Sequence, residues 1–472
     1  MNFRAISFYL SLFCFPISFL SFLNILYSSY FDYFLNIESY LLTLLASITF
    51  GIILCFVGRK SDKRINFYEQ TFLIIIIYFI TSLLISIPYY LSNYQITFIN
   101  SIFESYSGVT GTGFSIFENI KYLDPTLILW RSSSQWIGGL YFLVFLLLFF
   151  SNTQFNYKLN NLVFTGIKSL NPDNNIKKIS IKIFFLYTSL TFLIFLFFSI
   201  SEVRLFNGLN LSMTVISAGG FLPTNSLNQI IKTNTQEFFL ILSFLLSMAN
   251  IFLIYNIFAN KNFFKDHYED FFIIFLAIIF SLILLLSSSN LSLSEVFISI
   301  LSSINNSGIT TISIQNNFSL YLLFIAIAGG SILSNTSGIK FLRIYILLKA
   351  SFTEIFKLVR PNNVIKQNIL YSDQIISNDH IKISFIIFIS FFISLFFLSG
   401  ILILDNINFE NSFKLSILTL TNTTEFGLYG LTSIDFANLL TSSKIFLIIF
   451  MIIGKIELIS ILLIFRKILF KN

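Results

Sequence analysis

Ten runs of about 20 mostly apolar residues, each long enough to cross a hydrocarbon layer as a helix, constrain this chain more than anything else in it. They fall at 6 to 28, 38 to 57, 68 to 91, 126 to 150, 180 to 203, 236 to 258, 270 to 288, 317 to 350, 381 to 404 and 445 to 465 of the 472 residues. A soluble core has no use for so much apolar surface. With 56% hydrophobic and 11% charged residues, the chain reads as a polytopic membrane protein. The first run is too long for a signal peptide and lacks a small-residue cleavage site, so it reads as a signal anchor.

Lys and Arg set the orientation. With the N-terminus in the cytoplasm, the inner side holds 22 of the 29 basic residues, among them Arg59, Lys60, Lys63 and Arg64, seven between 340 and 382, and Arg466, Lys467 and Lys471. Both termini are therefore expected in the cytoplasm. The net charge of +7 follows this loop bias and gathers into no basic domain, which excludes a nucleic-acid partner. Cys14 and Cys55 lie inside apolar runs, while His267 and His380 lie in or beside charged loops. No disulfide framework, covalent cofactor or intramembrane histidine chemistry is indicated. An intramembrane enzyme would need a His, Ser or paired-Asp centre at depth, and none is found, so the chain does not read as an enzyme.

The eight runs after residue 65 form four pairs, and each pair encloses a semi-apolar stretch too short to cross: 97 to 109, 205 to 217, 294 to 306 and 410 to 423. Each stretch leads into a Gly-containing turn, GTGF at 111 to 114, SAGGF at 217 to 221, NSGIT at 306 to 310 and EFGLYG at 425 to 430. A re-entrant helix that enters and leaves on one face fits this pattern, because irregular backbone at membrane depth must line water or be buried in protein. The alternative for any one stretch is an amphipathic surface loop; four in register argue against it. Each unit crosses an even number of times, so all four share one orientation and can surround a single axis, which inverted repeats would not. The expected fold is an all-α polytopic membrane protein with four pseudo-symmetric helix/pore-loop/helix repeats around one pore plus two N-terminal helices. Its divisions are 1–65, 66–155, 175–260, 268–360 and 378–472.

A pore strips water from a potassium-sized ion at low cost by offering rings of backbone carbonyls instead. Consecutive carbonyls can aim at one axis when the backbone visits left-handed conformations, which glycine does freely. The candidate filter is therefore Thr110, Gly111, Thr112 and Gly113; Ser217, Ala218 and Gly219; Asn306, Ser307 and Gly308; and Glu425, Phe426 and Gly427, with one glycine of each turn (Gly113, Gly219, Gly308, Gly427) facing K⁺. The short helices aim their negative C-terminal ends at the cavity below and favour a cation there.

Two further features lie deeper. The run at 317 to 350 is too long for one crossing and is interrupted by Gly329, Gly330, Ser331, Ile332, Leu333, Ser334, Asn335, Thr336, Ser337 and Gly338. It reads as a broken helix whose loop crosses the path under the filter, or else as a kink satisfied by its neighbours. Lys455 sits near the middle of the last run, two residues before Glu457, so the two face different sides of a helix. An intramembrane charge costs about 2.5 kcal/mol or more and marks a functional position by default. Lys455 is either a barrier facing the pore or one half of a structural pair with a carboxylate on a neighbouring helix.

With these residues in place, the chain resembles the Trk/Ktr/HKT superfamily of cation transporters, and within it the bacterial Trk-type potassium uptake subunit. The resemblance runs along essentially the whole chain. It is carried by Ile87-Pro88-Tyr89, Phe103-Glu104, Ser107-Gly108 with Thr110 to Gly113, Trp130-Arg131, Gln135 to Gly139, Ala218 to Phe221, Gly329-Gly330, Gly338-Ile339-Lys340, and Gly454-Lys455 with Glu457. It implies K⁺ uptake across the bacterial inner membrane through one filter glycine per repeat, gating by the intramembrane loop of the third repeat, and a homodimer with one pore per subunit. A separate cytosolic ring of nucleotide-binding (TrkA-like) subunits is implied as regulator. A Na⁺-conducting or Na⁺/K⁺ co-transporting member of the superfamily is the alternative. The chain departs from the family pattern at Leu333 and Thr336 in the loop, at Thr423, Thr424 and Glu425 in the fourth turn, and at Lys455, where the family carries an arginine.

Overall fold

The computed structural model describes residues 2–61, 65–150, 176–253, 256–257, 267–287, 291–311, 318–359, 368, 376–424, 427–431 and 434–456. Its helices, in chain order, are α1 (Phe3–Tyr30), α2 (Ile37–Gly58), α3 (Phe67–Leu91), α4 (Phe98–Thr110), α5 (Pro125–Phe150), α6 (Ile176–Ile200), α7 (Leu205–Ile216), α8 (Asn234–Met248), α9 (Tyr268–Ser287), α10 (Leu293–Ile304), α11 (Ser319–Ala328), α12 (Phe341–Val359), α13 (Asn378–Ile403), α14 (Phe409–Thr421) and α15 (Thr441–Ile456). Several begin where the sequence offers a capping box, in which a side chain and the backbone exchange hydrogen bonds across the first turn: Asn66 with Glu69, Thr233 with Gln236, and Ser292 with Glu295.

The short helices α4, α7, α10 and α14 correspond to the four semi-apolar stretches, and each packs between the two longer helices of its own unit. The second helix of each unit then leans on the short helix of the next. Thus α5 meets α7, α8 meets α10, α11 meets α14, and α15 meets α4, which closes the ring. The helices α1 and α2 pack on each other and on α3, outside the ring.

Polarity is distributed as a lipid-embedded fold requires. Large apolar side chains such as Leu45, Phe56, Phe185, Phe275 and Phe396 are exposed on the outer faces, while Ser, Thr and Asn crowd the interior. Six described helices, α1, α2, most of α3 and of α6, α9 and α13, are long and apolar enough to cross a membrane. The run at 126 to 150 is helical over Pro125–Phe150 and carries Arg131 to Gln135 into the interior. The run at 445 to 465 is helical as far as Ile456, and its remainder lies outside the described residues. The run at 236 to 258 stops being helical at Ala249, because Met248 O accepts from Ser331 N (3.1 Å) and Ile251 N donates to Leu333 O (3.1 Å). The run at 317 to 350 divides into α11 and α12 around a non-helical stretch, 329 to 340.

Candidate functional site

Each short helix ends in the same way. The C-cap of the first and fourth and the residue after the C-cap of the second and third take up the left-handed conformation, Gly111 (φ 80°), Ala218 (φ 55°), Asn306 (φ 60°) and Asn422 (φ 50°), and the N–H of each reaches back three residues to Gly108, Val215, Ser303 and Thr419 respectively. In three of the four, the next N–H reaches back five residues: Gly219 to Thr214, Ser307 to Ser302 and Thr423 to Leu418. These are Schellman-type helix ends. They set a common register, in which the second residue after the left-handed one is Gly113, Gly220, Gly308 or Thr424.

Those four residues meet. A β-carbon built on Gly113 or on Gly220 would overlap the Thr424 methyl, and one on Gly308 would overlap the Thr424 hydroxyl. The same β-carbons would lie 2.9 Å from Gly220 Cα, 2.9 Å from Ser307 O and 2.8 Å from Thr424 O, respectively. Three directions from three of the short-helix turns thus converge on one side chain of the fourth. In this register Gly220 stands level with Gly113, and Gly219 packs against the Gln135 side chain. In the fourth repeat the position is held by Thr424, while Gly427 opens a short 3₁₀ turn at Gly427–Tyr429. Glu425 and Phe426 lie outside the described residues.

The turns are held from behind by buried side chains. Glu104 accepts from Ile116 N (2.9 Å), Ser115 Oγ (3.1 Å) and Arg131 Nε (2.9 Å), and Arg131 Nη2 donates to Ser115 (2.9 Å) while its guanidinium lies 4.1 Å from the centre of the Phe221 ring. Gln135 Oε1 accepts from Phe221 N (3.2 Å). Thr110 and Thr112 share a hydroxyl hydrogen bond (2.8 Å), and Asn422 donates to Thr112 Oγ1 and to Met451 O, both at 2.9 Å. On the side of the return loops, an open cavity of about 410 Å³ reaches Gly113, Gly220 and Arg131.

On the other side of the turns lies the stretch 329 to 340. Its backbone is buried yet satisfied: Ile332 N donates to Glu269 Oε1 (3.0 Å), Ser337 N to Asn306 Oδ1 (3.1 Å), Gly330 N to Thr336 Oγ1 (3.1 Å) and Ile339 N to Ile327 O (3.0 Å). The Lys340 ammonium donates to Ser331 O and Ser334 O, each at 3.2 Å, and to both Thr336 oxygens, so the loop wraps a cation belonging to its own chain. Asn335 touches every repeat. Its side-chain amide nitrogen donates to Ile216 O (2.8 Å) and lies 3.0 Å from where a β-carbon on Gly139 would be, and its backbone carbonyl accepts from Lys455 Nζ (2.8 Å). Lys455 is 2% exposed, lies 4.8 Å from the centre of the Phe142 ring and 3.7 Å from where a β-carbon on Gly111 would be, and has no carboxylate partner among the described residues. Glu457 lies outside them.

Comparison with the crystal structure of the potassium transporter TrkH from Vibrio parahaemolyticus gives a TM-score of 0.86 over 98% of both chains, at 20% identity, which establishes the fold. The Trk system potassium uptake proteins TrkG and TrkH of Escherichia coli are 24% and 22% identical over 446 and 339 residues, that is 89% and 68% of this chain and 90% and 70% of theirs. This chain is similar to Trk-type potassium uptake proteins. An uncharacterized cation transporter of Methanocaldococcus jannaschii is 27% identical over 345 residues, covering 70% of this chain and 69% of that protein. No protein-family model matches the chain. These relatives are transport proteins, not enzymes.

Beside the Trk relatives, two features stand out that glycine spotting in the sequence misses. The left-handed residue is Ala or Asn in three of four repeats, so the register must be counted from the helix end, not from the nearest glycine. The anchor of the 329 to 340 stretch on Met248, Ile251 and Glu269 has no sequence signature beyond the polar Asn250 at the end of an apolar run.

Proposed function

We propose that this chain is the translocating subunit of a potassium uptake system, a multi-pass protein of the bacterial inner membrane with both termini in the cytoplasm. The observation that carries the reading is the ring formed by the second residue after each short-helix end, on an axis common to four repeats. Potassium is the substrate. It enters through the cavity on the return-loop side, sheds water against carbonyls of Thr110 to Gly113, Ser217 to Gly220, Asn306 to Gly308 and the turn after Asn422, and pauses where four helix C-terminal ends supply negative potential. The stretch from Gly329 to Gly338 is the gate, held by Lys340 and by the contact of Asn335 with Lys455. Lys455 adds a positive barrier beneath the filter. The resemblance to Trk proteins supports a homodimer and a separate cytosolic nucleotide-binding regulator. A sodium-conducting or mixed transporter is the second reading, favoured by a ring with three glycines where four would be expected.

The test is uptake of rubidium and of sodium, supplied separately, by the purified chain in lipid vesicles, with growth rescue at low potassium in a bacterium lacking its own uptake systems. Rubidium uptake and rescue are the expected results. Well-inserted protein that moves neither ion refutes the proposal, and sodium movement alone selects the second reading.

A further inference from the structure

The ring at Gly113, Gly220 and Gly308 leaves a space that no β-carbon of those three residues can enter, and the Thr424 side chain fills it. Its hydroxyl donates to Ser307 O at 2.7 Å. Thr424 is itself 1% exposed, and the hydroxyl beside it, on Thr423, is engaged with Thr421 (2.9 Å) and Asn306 (3.4 Å). Two consequences follow from elementary chemistry. A methyl group on the axis can neither solvate an ion nor be passed by one. A carbonyl that already accepts a short hydrogen bond shares its lone-pair density with the donor, so Ser307 O is a weaker ligand for an ion while Thr424 is bonded to it.

Resting on the transport reading above, we infer that Thr424 is the specificity-determining plug of this pore: a side-chain constriction, built of three glycines and one threonine, that admits an ion only when the threonine turns about χ1 and releases Ser307 O. In the resting conformation the axis is closed at Thr424 as well as at Asn335. The movement required is small, a rotation between staggered wells of a β-branched side chain, and its cost combines one hydrogen bond with moving the methyl clear of the three glycines. The constriction differs in kind from the loop closure at Asn335, because it lies within the ring that dehydrates the ion and so bears on which ion passes.

The experiment compares rubidium and sodium influx into vesicles for the wild-type chain and for Thr424→Gly, Thr424→Ser and Thr424→Val, each checked for monodispersity and insertion. Thr424→Gly should raise rubidium influx by about tenfold, which corresponds to about 1.4 kcal/mol, because neither the methyl nor the hydrogen bond then closes the ring. Rubidium should gain more than sodium as Ser307 O rejoins the ring. Thr424→Ser, which keeps the hydroxyl and loses the methyl, should fall between wild type and glycine. Thr424→Val has no hydrogen bond to break but leaves two methyls in the ring, so it should stay below the Ser variant. Wild-type rubidium influx left unchanged by both the Gly and Ser substitutions overturns the inference while leaving the transport reading standing, and so does a Val variant as fast as the Gly or Ser variant. Absence of influx of either ion in all four proteins overturns the transport reading and the inference with it. Should Thr424→Gly not fold, the Ser and Val variants decide between the same outcomes.

Discussion

Replacing Lys455 by Met keeps the stem's volume and removes the charge, and the structure sets the size of the expected effect. The ammonium lies 3.7 Å from where a β-carbon on Gly111 would be, at the innermost turn of the first short helix. An ion resting below the filter would then sit about 6 Å from it, and Coulomb's law at an effective dielectric of about 20 gives a repulsion of about 3 kcal/mol. Losing that repulsion should raise rubidium flux by about two orders of magnitude, if passage over this point limits the rate. The hydrogen bond from Lys455 to Asn335 O is lost as well, which frees the loop and pushes the flux in the same direction. Lys455→Arg, which keeps a positive charge, should stay near wild type. The assay is tracer influx into vesicles at matched protein content, with thermal unfolding in detergent as a control for folding. A Lys455→Met protein that melts like wild type and conducts no faster would refute the barrier.

Two further outcomes are expected from the buried ion pair and the loop. Arg131→Met leaves Glu104 charged and unpaired behind the first turn and should destabilise the protein by about 3–5 kcal/mol, whereas the Glu104→Gln/Arg131→Met double variant should recover much of that loss; additive losses in detergent melting curves would show that the two side chains act separately. Lys340→Met removes the cation around which Ser331, Ser334 and Thr336 fold, so susceptibility of the 329 to 340 stretch to cysteine-directed labelling, read from a Cys introduced at Ser337 in a background lacking Cys14 and Cys55, should increase; unchanged labelling would mean that the other anchors suffice.

How much of this was legible in the sequence depends on the scale of the signal. Helix positions follow from patterns spanning 10 residues or more: the stretch expected at 97 to 109 is helical from Phe98 to Thr110, and that at 294 to 306 from Leu293 to Ile304. The interruption at 329 to 340 was legible because glycine and polar residues cannot continue an apolar span. The register of the turns was not legible, because it depends on a single backbone dihedral per repeat. Asn and, less readily, Ala can take the left-handed conformation that the eye assigns to glycine, and they do so at Asn306, Asn422 and Ala218. Counting glycines points to Gly219 and Gly427, whereas counting from the left-handed residue points to Gly220 and Thr424. Contacts such as Asp270 Oδ1 to Asn250 N (2.9 Å) join distant parts of the chain and leave no local trace.

In the proposed reading, the two closures on the axis also limit how such a pore can be regulated. Moving Asn335 off the axis breaks its hydrogen bonds to Ile216 O and from Lys455, and the second, to a charged donor, is the stronger. At about 1 kcal/mol for a neutral hydrogen bond and about 2 for a charged one, the closed loop is favoured by about 3 kcal/mol before anything replaces those contacts. The open form is then a minority of about one part in a hundred. To reverse that ratio, a partner must bind the open form about 10⁴-fold more tightly than the closed one. The Thr424 plug offers no such handle. It is buried among Gly113, Gly220 and Gly308, away from every surface a cytosolic partner can reach, and an arriving ion displaces it by competing for Ser307 O. Regulation therefore has to act through the loop, while the ring sets which ion profits from it.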